Sequence, residues 1–497
     1  MNGQSIEADY LIVGAGATGM AFADTLISES QATMALVDRQ HKPGGHWNDA
    51  YPFVRLHQPS AFYGVSSRPL GSSAEDKVGL NKGFEELASG QEVLSYFDQV
   101  MQQRFLPSGR VQYFPMSDVE DDRSVTSLLS GEQRPAKANK LVDARYLQPS
   151  VPSARPPRYA VAPGIICVPP NELPRIAHSH AAYVVIGAGK TGMDACLWLL
   201  ENGADPDQIR WIVPRDFWLL NRGNIQPGSK FFPRTARSLA DQVEALAEAQ
   251  SIDEVFARLE ACEEFRRIDG AVMPTGYHCA VISDAELERL RTIRNVVRLG
   301  HVTRIETQRI ILERGAVATN RDCLHIDCSA SALPTKPPKP VFSRDRITLQ
   351  FVRQCQPVFS AAFIAHVELA YRDEPEKNRI CSPIPAPDVP ADWLRMMSTE
   401  LANRRNWSEN PELGDWIAGT RLDFFTKQTR SLTGTETDVI EHLQRFKKYA
   451  APAAANVDIL LANGLPATNA IRFAKSADSV ADGADHAASS QLLRPAR

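Results

Sequence analysis

The chain has 497 residues, of which 43% are hydrophobic and 23% charged, with a formal net charge of −4. A chain of this length folds as two or three domains of roughly 100–200 residues each, and the near-neutral balance excludes a polybasic surface for nucleic acid or an anionic membrane. Its eight cysteines carry no CxxC and no regular spacing, which speaks against a disulfide framework and against a zinc or other metal site, and for reduced thiols in a cytoplasmic protein.

From the beginning of the chain, the apolar stretch Tyr10 to Ala23 follows Glu7 and Asp9 rather than a basic region and contains glycines, so it reads as a buried strand and turn, not a secretory leader. No uninterrupted apolar run long enough for a membrane span occurs elsewhere. Tyr10-Leu11-Ile12-Val13 has the character of a fully buried parallel strand and leads into Gly14-Ala15-Gly16-Ala17-Thr18-Gly19, with a helix predicted from Met20 to Ile27. In this GxGxxG spacing Gly14 permits the tight turn, Gly16 lets a pyrophosphate approach the backbone, and Gly19 lets helix pack on strand. The helix amides and dipole then favour the anion. A second strand, Thr33 to Val37, ends in Asp38, an acid placed to accept from ribose hydroxyls. Gly44-Gly45-His46-Trp47 follows, then Tyr51-Pro52-Phe53-Val54-Arg55-Leu56-His57-Gln58-Pro59, with no cysteine nearby.

Residues 116–160, rich in proline, serine and charge, read as a small β element with loops. A second copy of the first unit begins at Tyr183-Val184-Val185-Ile186 and runs into Gly187-Ala188-Gly189-Lys190-Thr191-Gly192, with a helix ending at Asn202-Gly203. Val184 stands where a triphosphate-binding P-loop needs its first glycine, so that motif is disfavoured. The next strand, Ile209 to Val213, ends not in an acid but in Pro214 and Arg215. A guanidinium suits a 2′-phosphate through paired charged hydrogen bonds, which selects NADPH over NADH. Helical spacing recurs between residues 227 and 291, especially Leu239 to Leu259, predicting a helical insertion able to cover a site. Residues 336–474 read as a mixed and helical region, and 475–497, rich in Ala, Ser, Asp and Gly, as a disordered tail.

Both GxGxxG units, the GGxW segment with the residues after it, and the arginine after the second unit's second strand resemble the two-dinucleotide-binding flavoproteins, specifically the flavin-containing and Baeyer–Villiger-type monooxygenases. The resemblance implies an α/β fold of two Rossmann-like domains: an FAD domain begun by residues 1–180, an inserted NADPH domain at 181–335, and a return to the FAD domain from 336. It implies FAD at Gly14, Gly16, Gly19, Asp38, Gly45, His46 and Trp47, and NADPH at Gly187, Gly189, Lys190, Thr191, Gly192 and Arg215. It also places His57, with Arg55 beside it, near the reactive flavin edge as the catalytic pair, where an imidazole donates a hydrogen bond or exchanges a proton near neutral pH. The implied reaction transfers one oxygen atom from a flavin hydroperoxide, formed with dioxygen, to a small organic substrate. The alternatives are an NAD(P)H-dependent flavin dehydrogenase or oxidase without oxygen insertion, and a non-catalytic FAD-binding protein. The resemblance does not extend to the linker motif FxGxxxHxxx: Cys167 to Pro174 lacks its phenylalanine and glycine, although His178 and His180 precede the second unit's first strand.

Overall fold

Uninterrupted apolar runs cannot face water on either side, so they become the centres of parallel sheets covered by helices. In the computed structural model, which describes residues 5–176, 180–330, 336–423 and 425–464, Ile6–Val13 pairs in parallel with Met34–Val37 on one side and with Ala136–Asp143 on the other. Val111–Phe114 extends the first flank and Arg346–Thr348 the second, with Phe342–Ser343 closing the edge of a six-stranded sheet. The second sheet repeats the plan with five parallel strands: Ala182–Ile186 lies between Ile209–Ile212 and Cys323–Asp327, flanked by Asn295–Val297 and Cys167–Val168. In each sheet the strand order reverses beside the first strand, which opens the crevice where doubly wound sheets bind ligands.

Arg346–Thr348 pairs with Ala136–Asp143, so the second sheet is inserted in sequence between two adjacent strands of the first. The crossover comes earlier than residue 181. Ala160–Val161 already pairs with Val302–Ile305, and Cys167–Val168 with Cys323–Asp327. These two-residue strands, flanked by proline and glycine, are too short to leave a periodic signal. The expected boundary near 335, His178 of the linker and the expected tail at 475–497 lie outside the described residues.

Two further expectations are corrected. Residues 116–160 do contain a small antiparallel sheet of Ser117–Val119, Val125–Ser127 and Gln133–Arg134, but Ala136–Asp143 is a main-sheet strand whose outer half alternates between partly covered and exposed residues. The insertion at 227–291 is not purely helical. Its helices Phe232–Glu248, Ile252–Ala261 and Asp284–Leu290 are interleaved with a three-stranded sheet of Phe265–Arg266, Phe217–Asn221 and Gly276–Ile282, in that order.

The first core packs the helices Ala17–Glu29 and Pro357–Ala370 together over the six-stranded sheet, with Phe22, Phe359 and Phe363 fully buried. A second core underlies the inserted sheet around Trp211, Leu324 and Ile326. The third joins the small sheet to the C-terminal helices, packing Trp218, Phe256, Phe265 and Tyr277 against Trp393, Val457 and Leu460. That third core packs the helices Pro390–Ser408 and Thr437–Gly464 against the insertion. Among the described residues no helix is long and apolar enough to cross a membrane.

Candidate functional site

The two glycine turns are built alike. Gly14 and Gly187 hold φ of 111° and 127°, conformations that L side chains rarely adopt. Their amides donate to the carbonyls of Val37 and Ile212 at 2.8 and 3.0 Å, tying each turn to the next strand. A Cβ on Gly19 would lie 1.9 Å from the Gly14 oxygen, and one on Gly192 would lie 2.1 Å from the Gly187 oxygen, so the third glycine of each motif is required for helix and turn to meet. Gly16 and Gly189 cap their helices with no side-chain hydrogen bond, which leaves the first-turn amides for an anion. Both turns open onto one continuous cavity of about 920 Å³.

The first turn is closed over by Gly44-Gly45-His46-Trp47. Gly44 N–H donates to the Ala15 carbonyl at 2.9 Å, and a Cβ on Gly45 would come within 3.0 Å of the Gly16 Cα. Asp38 is buried at the end of its strand, accepting from the amides of Ala15 at 2.5 Å and Gln40 at 2.7 Å; burial raises its carboxyl above the ordinary value, with those hydrogen bonds opposing the shift. His46 stacks on Trp47, whose indole N–H donates to the Tyr63 hydroxyl at 2.8 Å. Burial pushes the His46 imidazole down to about 4.

His57 lines the cavity, and of its two expected roles, hydrogen-bond donor or proton exchanger near neutral pH, its surroundings favour the first. The Val281 N–H donates to His57 Nδ1 at 3.1 Å, which fixes the tautomer with the proton on Nε2. Burial first, then the charges of Lys190 and Arg222, hold the imidazole down to about 3. These surroundings favour the neutral ring, with Nε2–H as its donor. Arg222, fully buried and paired with Glu286 at 2.6 Å, donates its Nε–H to the His57 carbonyl at 3.2 Å and so fixes the backbone as well. Arg55 stands exposed at the cavity rim.

On the second unit Lys190 and Thr191 line the cavity at the start of the helix Lys190–Glu201. Lys190 is ion-paired with Asp194, and Asp194 accepts from the Tyr51 hydroxyl at 2.6 Å, which joins the segment beside His57 to the second glycine turn. Arg215 is placed otherwise than the sequence suggests. Its guanidinium pairs with Asp388 and lies 5.0 Å over the Phe217 ring, and it is not part of the cavity wall, while neighbouring Asp216 pairs with Arg298. Asp388, 173 residues away in the chain, leaves no mark near Arg215 in the sequence.

Sequence reasoning singles out Gln356-Pro357-Val358-Phe359 as a segment that closes over the site, and two of its residues do line the cavity, but it missed most of the far wall. The expectation of reduced thiols fails at Cys279 and Cys355, which form a disulfide across a separation of 76 residues. It ties the small sheet to the loop before the helix Pro357–Ala370, and both cysteines border the cavity with left-handed backbone, φ 56° and 52°. Packing of distant elements alone brings them together, so no spacing rule could reveal the pair. Cys323 and Cys328 remain unpaired. Gln356, at the free start of that helix, has a buried side-chain oxygen without a partner. Glu264, Ser238, Asn224 and Gln242 form a buried polar cluster on the same cavity.

The sheet orders and paired turns define a protein of two Rossmann-like dinucleotide-binding units with a helical C-terminal region. The family described as NAD(P)-binding Rossmann-like domain matches residues 12–63. The uncharacterized proteins Rv2000 of Mycobacterium tuberculosis and Mb2023 of Mycobacterium bovis are each 52% identical over 420 residues, covering 84% of this chain and 78% of the relative. The chain belongs to the family of these mycobacterial proteins. Among solved structures, a closed form of cyclohexanone monooxygenase aligns with TM-score 0.47 at 14% identity over 86% of this chain and 97% of that one. A flavin monooxygenase mutant from Stenotrophomonas maltophilia aligns with TM-score 0.45 at 14% identity over 74% and 100%. The architecture itself stands on the strand pairing and the glycine turns.

Proposed function

We propose that this chain is an FAD-dependent oxidoreductase that consumes NADPH and transfers one oxygen atom from dioxygen to a small organic molecule, with water and NADP⁺ as the other products. The observation that carries the reading is that two near-identical anion-binding turns open onto a single cavity, so two dinucleotides can meet there.

The residues present fit both groups. At the first turn, uncapped helix amides, the facing Gly16 and Gly45, and Asp38 at the strand end suit the diphosphate and ribose of FAD. The orphaned Gln356 oxygen and the uncapped start of Pro357–Ala370 offer an acceptor and donors to a polar ring edge. At the second turn Gly187, Gly189, Lys190, Thr191 and Gly192 would hold NADPH. A bound FAD supplies the redox chemistry, taking electrons from the nicotinamide and passing them to oxygen. The protein's own residues orient and shield. His57 presents an Nε2–H donor whose tautomer the Val281 amide fixes, and the Tyr51–Asp194–Lys190 chain holds the second turn against the His57 segment. Glu400 and Arg404 of the helix Pro390–Ser408 complete part of the cavity wall.

The test is oxygen uptake by the purified, flavin-loaded protein with NADPH across amines, sulfides and ketones, using ¹⁸O₂. One labelled atom in the product per NADPH oxidised is expected. Oxygen reduced only to hydrogen peroxide, or NADPH oxidised with no oxygen consumed, would instead establish an oxidase or dehydrogenase.

A further inference from the structure

The small sheet floors one end of the cavity, with Phe217–Asn221 between Phe265–Arg266 and Gly276–Ile282. Val281, whose N–H holds His57, pairs with Leu220, and Leu220 pairs on its other side with Phe265, the residue after Glu264. Two inter-strand spacings of about 4.8 Å put Glu264 roughly 10 Å across the sheet from the point where His57 is anchored. Its backbone is fixed there: Glu264 N–H donates to the Leu259 carbonyl at 2.8 Å, and its carbonyl accepts from Asn221 N–H at 3.1 Å.

Glu264 is 3% exposed. Its Oε2 accepts from the Ser238 hydroxyl and from the Asn224 amide, the latter at 2.8 Å, and its Oε1 accepts from the Gln242 amide at 3.0 Å. All three donors are neutral, and all four residues line the cavity. Among the described residues no cation pairs with this carboxylate: Arg234 gives its Nε–H to Asn224 Oδ1 at 2.7 Å instead. Burial pushes the carboxyl up to about 7, against the hydrogen bonds and the field of Arg234, with Asp241 adding to the rise. Tyr277 is also in its field, buried and neutral. Buried carboxylates are ordinarily matched by a positive charge, and this one has a cavity where that charge would be. Ile225, Leu239, Phe351 and Phe425 line the same cavity, and its two arginines from the C-terminal region are already matched there, Arg353 by Asp423 and Arg404 by Glu400.

We propose that Glu264 anchors the ammonium group of a cationic amine ligand whose apolar remainder runs across the small sheet toward His57. The inference rests on the oxygen-transfer reading only for what happens at the His57 end. Calorimetric titration of the flavin-loaded protein with n-hexylamine and 1-hexanol tests it without turnover. The amine is expected to bind at least about tenfold tighter than the alcohol at pH 8, and that preference is expected to shrink about tenfold by pH 6 as the carboxyl takes up its proton. Glu264→Gln should abolish the preference and its pH dependence, while Glu264→Asp should keep both at lower affinity. Equal binding of the two probes, or an amine preference that survives in Glu264→Gln, overturns the proposal. Should neither variant keep its flavin, the wild-type protein decides, since equal binding of the two probes at pH 8 overturns the proposal. Oxygen uptake measured in parallel separates the two readings, because its absence counts against oxygen transfer and leaves the binding result standing.

Discussion

The two glycine turns of this chain are nearly superimposable in their rules and different in their surroundings. At the first, Gly44-Gly45 lies directly on the turn and Asp38 closes the strand end, so the turn is covered and its acid is buried. At the second nothing lies within 4 Å of a Cβ placed on Gly189, and the strand-end cation, Arg215, is turned onto Asp388. The same backbone device is thus enclosed in one unit and open in the other. Under the proposed function this suits a first nucleotide that stays bound and a second that enters and leaves.

The largest effect is expected where the two units are tied together. The Cys279–Cys355 disulfide closes a separation of 76 residues, and chain-entropy reasoning assigns such a link about 4 kcal/mol. Reduction, or Cys279→Ser, should lower the denaturation midpoint accordingly, by calorimetry with and without reductant. Peptide mapping under non-reducing conditions that recovers both thiols free would remove the tie, and with it the reason to treat the cavity as a fixed junction.

Next come the third glycines. Gly19→Ala and Gly192→Ala each drive a methyl group into a carbonyl oxygen, at a cost of about 1–3 kcal/mol. Gly19→Ala should lose the flavin absorbance, whereas Gly192→Ala should keep the flavin and lose NADPH binding by fluorescence titration. If either substitution affects both nucleotides equally, the turns do not act separately. Gly189→Ala meets open space and should leave the fold's stability unchanged, so any loss of NADPH affinity there reports on the ligand alone.

These glycines are legible in the sequence because the requirement is local: a strand, a turn with positive φ and a helix start lie within a few residues of one another. Asp38 is legible for the same reason. What the sequence hides is non-local. His57 can be picked out, but its neutral state depends on Val281, Lys190 and Arg222, which come from the inserted unit. Glu264 carries no motif, and the disulfide joins residues on different elements. The helical period of residues 239–259 is visible, but the three short strands interleaved with those helices are not, because two-residue and bulged strands leave no alternation to count.

The histidines of the first unit give a smaller, pH-dependent effect. His57 and His46 stay neutral in the folded chain down to about 3 and about 4, whereas an unfolded histidine takes a proton near 6.5. Below that pH the unfolded chain binds more protons, so stability is fully present above about pH 6.5 and is lost as the pH falls toward those folded values. Thermal midpoints should decline over this window, and less steeply in His57→Gln. An unchanged slope in that variant would show that His57 is already solvated in the native state.

The smallest effect is expected at Arg215, where the comparison between the turns is most exposed to refutation. Position argues for a 2′-phosphate ligand, since Arg215 follows the strand whose counterpart in the first unit ends in Asp38. Geometry argues otherwise, since its guanidinium is matched by Asp388, which His278 also engages at 2.9 Å. The Asp388 carboxyl is held down to about 2, chiefly by the Arg215 hydrogen bond, so the pair is intact throughout the neutral range. A cation already neutralised in this way has little attraction left for a phosphate. Arg215→Gln should therefore change the KM for NADPH by less than about threefold, under about 0.7 kcal/mol, with a similar change for NADH. A loss of tenfold or more confined to NADPH would mean that the arginine leaves Asp388 when the nucleotide arrives, and Asp388→Asn should then improve NADPH binding by releasing it.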